Sequence, residues 1–190
     1  MSSKKLFIDG GFHLGEGLSE FKQMLNITNG WEIHAFEPNI HCNDNIIFDD
    51  INIHYHKKAI WVEDGIQLFN CENNVVSNSP KNNSVSNLDG WGSCLTTIQS
   101  KHTFDKQITV ETIDLSNFIR KFSNFEIYCK LDIEGAEFEV LRKLIKDNTI
   151  KFIKEIWVEW HDVDLPNESL DTRNELINEL SKYTKINNWK

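Results

Sequence analysis

Hydrophobic and polar positions change their spacing along the chain, and this change predicts strands that alternate with helices. Short apolar or alternating runs rich in β-branched and aromatic residues predict strands, whereas apolar residues three or four apart predict amphipathic helices. The predicted strands cover residues 5–9, 32–36, 51–62, 108–113, 127–133 and 153–161. The predicted helices cover residues 14–24, 115–122, 136–146 and 170–183. This order favours an α/β fold with a mostly parallel sheet and helices on both faces.

One segment interrupts the alternation. Residues 71–93 are rich in Asn and Ser, which predicts a long exposed loop. The chain of 190 residues has the length of one domain, so we interpret residues 1–190 as a single domain with this loop as an insertion. Trp91 in the loop is a candidate to close over a bound substrate.

Composition narrows the classes of function. Hydrophobic residues make up 39% of the chain, enough to bury a core. The net charge is -9 and basic residues form no long run, which argues against nucleic acid as a partner and favours a small molecule or glycan. The sequence contains neither a signal peptide nor an apolar stretch of membrane-spanning length, and its cysteines match no zinc spacing. We therefore expect a cytoplasmic protein with reduced thiols and no membrane contact.

Four short blocks follow predicted strands, where open α/β sheets bind their ligands. In the first block, FIDGG followed by LG, Gly11 and Gly15 allow close backbone approach and Asp9 offers a charge to a cationic ligand. In the second block, AFEPN, Glu37 stands where this architecture binds the ribose hydroxyls of a nucleotide. The alternative for Glu37 is a surface glutamate beside a turn proline.

The third and fourth blocks, CKLDIEGAEFEVL and IWVEWH, carry more acidic residues. Residues two apart on a strand point to the same side, which pairs Asp132 with Glu134 and Glu159 with His161. If the strands are neighbours, these groups meet in one crevice, where crowded charge raises a carboxylate pKa or recruits a cation. The alternative is that the helix dipole favours such acids, which accounts for Glu137 and also fits Glu134.

Together the four blocks resemble the FkbM-type methyltransferase family over residues 6–161. The most specific part is LDIEGAE followed by EVL, and AFEP is next. The resemblance implies a three-layer, Rossmann-like class I fold and methyl transfer from S-adenosylmethionine, usually to a hydroxyl oxygen. The cofactor-binding residues it implies are Asp9, Gly11, His13, Gly15, Glu37, Pro38, Ala59 and Asp132.

The sequence departs from the family pattern at three places, one of which is the loop at residues 71–93, which is long for the connection it occupies. Phe12 and His13 follow Gly11 where the family has Ala and Asn, and residues 183–189 supply only one strand of the family's terminal antiparallel hairpin. The last two departures motivate an alternative function, a catalytically inactive module that binds S-adenosylmethionine. An incomplete sheet edge would also offer a place for a partner subunit.

Methyl transfer to a hydroxyl needs a group that takes the acceptor's proton. His161 is the first candidate because histidine ordinarily titrates nearest neutrality, Asp132 is the second, and Glu134 completes the predicted catalytic set. A divalent metal is not favoured, but its ligands would be Asp132, Glu134 and Glu159. The leading prediction is O-methylation of a sugar, glycan or other small molecule. A nucleic-acid methyltransferase acting on a cap or ribose is the least favoured class, given the negative charge.

Overall fold

The structure, a computed structural model, describes residues 3–39, 42, 50–71, 93–100, 104 and 106–189. The strands in these residues are β1 (Lys5–Gly10), β2 (Trp31–Phe36), β3 (His54–His56), β4 (Lys58–Trp61), β5 (Gly65–Cys71), β6 (Cys94–Leu95), β7 (Lys106–Asp114), β8 (Glu126–Leu131), β9 (Ile153–Val158) and β10 (Lys185–Asn188). The helices are α1 (Glu16–Met24), α2 (Leu115–Arg120), α3 (Glu137–Lys146) and α4 (Leu170–Leu180). Short 3₁₀ turns cover Ile150–Phe152 and Asp162–Asp164.

A six-stranded parallel sheet forms the centre of the fold. Its strand order is β3-β2-β1-β8-β9-β10, so the chain runs outward from β1 in one direction and outward from β8 in the other. The order therefore reverses between β1 and β8, where Asp9 pairs with Lys130. In such a sheet the crevice beyond the carboxyl ends of these two strands is the expected ligand site.

A second sheet of four strands packs beside the first, in the order β4-β7-β5-β6. β4 is parallel to β7, whereas β5 runs antiparallel to both β7 and β6. Residues of this sheet, including Ile60, Phe69 and Leu95, belong to the same hydrophobic core as Leu6 and Ile8 of β1. The second sheet thus forms one wall of the crevice beyond the central sheet.

Alternate residues of the central strands enter two cores on opposite faces. Leu6 and Ile8 face α2, α3 and the second sheet, whereas Phe7 faces α1. In the α1 core, the ring of Phe21 lies 5.0 Å from that of Trp157 and 4.8 Å from that of Trp189. Because both faces are buried, the central strands carry apolar residues on both faces, as is usual for parallel sheets.

The helix ends follow ordinary capping chemistry. The Asp114 side chain accepts the backbone N–H of Asn117 at the start of α2, and Ser169 and Thr172 form a capping box on α4. In α3, Glu137 and Glu139 occupy the first turn and lysines the last, which matches the helix dipole.

The predicted α/β class is confirmed, but several predicted boundaries are wrong. The single strand predicted at 51–62 is two strands in different sheets, and β5 was not predicted at all. Strands predicted to end at 133 and 161 end at Leu131 and Val158. Tertiary pairing decides these points, because a hydrogen-bonded neighbour, not local alternation, defines a strand and its sheet.

The structure also bears on the expectations for the C-terminal strand, the loop, the cysteines and membrane-spanning segments. β10 supplies one strand from residues 183–189, and it is parallel to β9. Most of the predicted loop at 71–93, including Trp91, lies outside the described residues. All four cysteines are buried thiols without disulfide bonds. Among the described residues, no helix is long and apolar enough to cross a membrane.

Candidate active site

A pocket opens beyond the carboxyl ends of β1, β2 and β8. Its floor comes from the turns after these strands, and its apolar wall comes from β4, β5 and β6 of the second sheet. The residues that line it are Gly11, Phe12, His13, Glu16, Gly17, Phe36, Glu37, Pro38, Ala59, Ile60, Phe69, Ser93, Leu95, Lys130, Asp132, Ile133, Glu134, Ala136, Glu159 and Trp189.

The turn after β1 brings the backbone against the end of β8. Gly11 has φ +73, and a Cβ added to it would lie 1.7 Å from the carbonyl oxygen of Asp132. The N–H groups of Gly11 and Phe12 both donate to the carbonyl of Phe36, at 3.1 and 3.0 Å. Glycine is therefore required here by a close backbone approach as well as by the left-handed conformation.

Glu37, the first residue after β2, has a nearly buried carboxylate that ties two turns together. Its Oε2 accepts the N–H of His13 at 2.9 Å, and its Oε1 accepts the N–H of Asn39 at 2.8 Å. Burial raises the pKa of Glu37, while the Asn39 and His13 backbone donors lower it. Each carboxylate oxygen has a second lone pair, so both can still accept a hydroxyl on the pocket side.

Lys130 forms a buried charge cluster with two aspartates. Its ammonium lies 3.3 Å from an oxygen of Asp9 and 3.3 Å from one of Asp132, and it donates to the carbonyl of Gly11 at 2.7 Å. Burial lowers the pKa of Lys130, but the two carboxylates outweigh it, so the net shift is upward and the side chain is a cation.

Asp9 is the least well satisfied member of this cluster. It is completely buried, and neither of its oxygens makes a hydrogen bond to the described residues. Burial raises the pKa of Asp9 to about 6, although the charge of Lys130 lowers it. A buried carboxylate without hydrogen bonds is costly, so it is usually retained for a functional reason.

The loop between β8 and α3 has an unusual backbone. Glu134 and Gly135 have φ +55 and +96, and the first value is rare for a residue other than glycine. Glu137 holds the loop from within, because its carboxylate accepts the N–H groups of Ile133 at 2.6 Å and Gly135 at 2.8 Å. This loop turns Asp132 and Glu134 toward the pocket.

His161 lies behind the loop and contacts two of its carboxylates. Its Nδ1 is 3.2 Å from Oε1 of Glu137, and its Nε2 is 3.4 Å from Oε2 of Glu134. Burial lowers the pKa of His161, but Glu137, Glu134 and Asp132 outweigh it and raise the pKa to about 10. Near neutral pH the ring is an imidazolium, which has no lone pair with which to accept a proton.

The structure brings most of the predicted site residues together. The cofactor candidates that line the pocket are Gly11, His13, Glu37, Pro38, Ala59 and Asp132. Two other candidates lie outside the lining: Asp9 is buried behind it, and Gly15 precedes α1 with φ +84. Among the catalytic and metal candidates, Asp132, Glu134 and Glu159 line the pocket, whereas His161 does not. Their roles stay predictions.

The acidic side chains of the site lie on the loops after β8 and β9 and not on the strands themselves. Asp132, Glu134, Glu159 and His161 all follow their strands, so strand alternation does not orient them. They meet because the loop backbone reverses at Glu134 and Gly135. The donor atoms of Asp132, Glu134 and His161 lie within 4.8 Å of one another, so His161, not the predicted Glu159, is the third member of the compact group.

Several lining residues are not among the predicted site residues, and Lys130, Ser93 and Trp189 are examples. Lys130 is a lysine inside an apolar strand, IYCKLDI, and that oddity could have marked it as the partner of a buried acid. Ser93 and Trp189 also line the pocket, but they arrive from distant parts of the chain and no local pattern indicates them.

A parallel sheet with a glycine turn after β1, an acid after β2 and an acidic crevice at the reversal of strand order defines a Rossmann-like methyltransferase fold. A family model described as the methyltransferase FkbM domain matches residues 12–185. The chain therefore belongs to the FkbM methyltransferase family, as the sequence blocks indicated, and it is a methyltransferase. Comparison with curated proteins and with solved structures finds no match.

Proposed function

We propose that the protein transfers a methyl group from S-adenosylmethionine to a hydroxyl oxygen of an uncharged, polyhydroxylated small molecule such as a sugar or glycan. The observation that carries the proposal is the position of Glu37, whose residue is buried and whose carboxylate lines the pocket as a hydrogen-bond acceptor. A ribose presents two neighbouring hydroxyl donors, and a carboxylate with two open lone pairs is the group that receives both.

The remaining pocket residues fit the rest of such a cofactor. The apolar surface of Ala59, Ile60 and Phe69 suits an adenine ring. Asp9 and Asp132 place negative charge near the glycine turn, where it would favour a sulfonium and an ammonium group. When bound, the cofactor supplies a methyl group that is already activated for transfer.

Asp132 is the proposed acceptor of the hydroxyl proton. It lines the pocket and is only partly buried, so a substrate hydroxyl can reach it. Its ion pair with Lys130 fixes one oxygen at 3.3 Å and leaves the other for the acceptor. The bound cofactor would supply the methyl group and leave as S-adenosylhomocysteine when its methyl carbon–sulfur bond breaks, and the proton of the acceptor hydroxyl would pass to the Asp132 carboxylate.

His161 is proposed as a positioning residue and not as the base. As an imidazolium it donates to Glu137 and lies beside Glu134, so it holds the loop that presents Asp132. We therefore propose Asp132, and not His161, as the general base. His161 was the first candidate because the ordinary pKa of histidine lies near neutrality.

The charge of the pocket supports an uncharged acceptor. Glu16, Asp132, Glu134 and Glu159 line it, and among the lining residues that the structure describes Lys130 is the one Lys or Arg. Such a surface repels phosphates and carboxylates, which is a further reason to place nucleic acid last among acceptors.

Isothermal titration with S-adenosylmethionine tests cofactor binding. Replacement of Glu37 by Gln should weaken binding by about 10–100-fold, because a charged hydrogen bond contributes roughly 1.5–3 kcal/mol. The exposed Glu63→Gln variant is the matched control and should bind as the wild type does. Urea unfolding of both variants separates lost affinity from lost folding.

Turnover is tested by S-adenosylhomocysteine release with panels of neutral, anionic and nucleic-acid acceptors. We expect neutral hydroxylated acceptors to be methylated and Asp132→Asn to reduce turnover more than binding. A folded protein that binds no cofactor at millimolar concentration would overturn the proposal. Binding without turnover on any acceptor would instead establish the inactive module, and methylation confined to RNA would establish the nucleic-acid class.

A further inference from the structure

A second group of titratable side chains lies on the central sheet, away from the pocket. Glu32 and His34 belong to β2, and His54 and His56 belong to β3. His34 pairs directly with His54 across the two parallel strands, so residues at these alternate positions share one face. Glu32 lies five residues before Glu37, or about 16 Å along the strand at roughly 3.3 Å per residue.

Three of these side chains bring donor atoms close together. One ligand atom from each of Glu32, His34 and His54 lies within 4.8 Å of the others. The Nε2 of His34 is 3.1 Å from Oε1 of Glu32, and the rings of His34 and His54 stack at 4.7 Å. His54 is exposed, and Glu32 is about one-third exposed, so the group opens to solvent.

We propose that Glu32, His34 and His54 bind a divalent transition metal of the Zn²⁺ type. Two imidazoles and one carboxylate, with water in a fourth position, form a ligand set that zinc accepts, with ligand distances near 2.0–2.2 Å. Tetrahedral ligands at that distance lie about 3.4 Å apart, so the widest pair must close by up to about 1.4 Å. Exposed His54 can supply this movement by changing its rotamer.

The central ligand is already oriented by a neighbour. Nδ1 of His34 lies 2.8 Å from Nε2 of His56, and the edges of Phe118 and Phe122 contact the His34 ring at 5.0 and 5.2 Å. Metal-binding histidines ordinarily donate their second ring N–H to such an acceptor, which leaves the other nitrogen's lone pair for the ion. Here the proton of His34 lies on Nδ1 when Nε2 binds metal, and Nδ1–H donates a hydrogen bond to the lone pair on Nε2 of His56.

Without metal, the same atoms make an alternative network. His56 then donates from Nε2 to Nδ1 of His34, which donates from Nε2 to Glu32. Exchange between the two states needs only a change of tautomer in two neutral rings, and both ring nitrogens of His34 have a partner in either state. The site is therefore compatible with reversible metal binding to the folded protein.

The ion would join the edge strand β3 to β2. β3 has only three residues, and its His56 carbonyl accepts the backbone N–H of Glu37 at 3.0 Å. A metal held by His54 at one end of this strand would thus stabilise the strand that supports Glu37 at its other end. We expect binding to raise thermal stability without contributing to the chemistry of the pocket.

The test is titration of chelator-treated protein with Zn²⁺, followed by calorimetry and by thermal unfolding. We expect one ion to bind, and at about 100 times its dissociation constant the Tm should rise by roughly 5–10 °C. The variants His54→Ala and Glu32→Gln should each weaken binding at least about tenfold. Glu111→Gln, a surface carboxylate on β7, is the matched control and should leave the affinity unchanged.

The pocket offers a competing ligand group in Asp132, Glu134 and His161. Titration of Glu134→Gln distinguishes the two places, because this variant should bind Zn²⁺ with wild-type affinity if the ion sits on β2 and β3. Loss of binding in Glu134→Gln with retention in His54→Ala would overturn the proposal. Failure of wild-type protein to bind Zn²⁺ below millimolar concentration would overturn it as well.

Discussion

The protonated state of His161 leads to a pH-dependent stability that can be measured directly. Its pKa is about 10 in the folded protein and ordinarily 6.5, so between these values the folded state binds one more proton than the unfolded state. The stabilisation is fully present below pH 6.5 and is lost as the pH rises through about 10. At 1.36 kcal/mol per pKa unit the change corresponds to roughly 5 kcal/mol, and partial exposure of the side chain reduces it to a few kcal/mol.

The perturbation is His161→Gln, which keeps a hydrogen-bond donor but removes the charge. At pH 7 we expect a lower free energy of unfolding, because buried Glu137 then lacks its cation. The difference between wild type and variant should shrink as the pH rises from 7 toward 10, since the wild type loses the same charge by titration.

Urea unfolding followed by tryptophan fluorescence, in chelator at several pH values, measures this difference. His56→Gln is the control, because burial and neighbouring histidines lower the pKa of His56 to about 4 and the ring stays neutral throughout the range. Its difference from wild type should not vary between pH 7 and 10. A constant or growing difference for His161→Gln would refute the assignment of an imidazolium.

Two further variants test the turn and the buried charge cluster. Gly11→Ala places a methyl group against the Asp132 carbonyl at φ +73, so backbone strain alone costs about 1–3 kcal/mol, and both Tm and cofactor affinity should fall. The control is Gly30→Ala, because a Cβ on Gly30 meets nothing closer than 3.7 Å. Equal Tm values for the two variants would contradict the reasoning. Lys130→Met leaves buried carboxylates without their cation and should cost about 3–5 kcal/mol in urea unfolding at pH 8. The loss of unfolding free energy should be smaller at pH 5, because burial raises the pKa of Asp9 and its carboxylate takes up a proton there. A larger loss at pH 5 would show that Asp9 is not the carboxylate left without a cation.

Local sequence pattern predicted the elements that bury a regular face. The apolar runs of β1, β8 and β9 and the spaced apolar residues of α3 were identified because burial on a parallel sheet leaves a strong periodic signal. The pattern failed for β3 and β4, which are separated only by Lys57 and look like one strand. Their assignment to different sheets depends on which partner each finds, and nothing in residues 51–62 encodes that choice.

The acidic site divides in the same way. Glu37 and Asp132 could be recognised because they follow strands and lie in specific motifs. The partners of His161 could not be predicted from the sequence. Glu137 lies 24 residues before His161 in the chain, yet Oε1 of Glu137 is 3.2 Å from Nδ1 of His161. That contact places His161 beside carboxylates that raise its pKa to about 10 in spite of burial.

The sequence by itself determined the α/β class and the family, because these depend on periodicity and short motifs. Only the tertiary structure decided the second sheet, the reversal of strand order beside Asp9 and Lys130, and the charge on His161. The physical reason is that pairing between strands and the pKa of a buried group depend on neighbours distant in the chain. Burial and electrostatic interaction depend on distances in the folded structure, and these distances cannot be read from the order of residues in the chain.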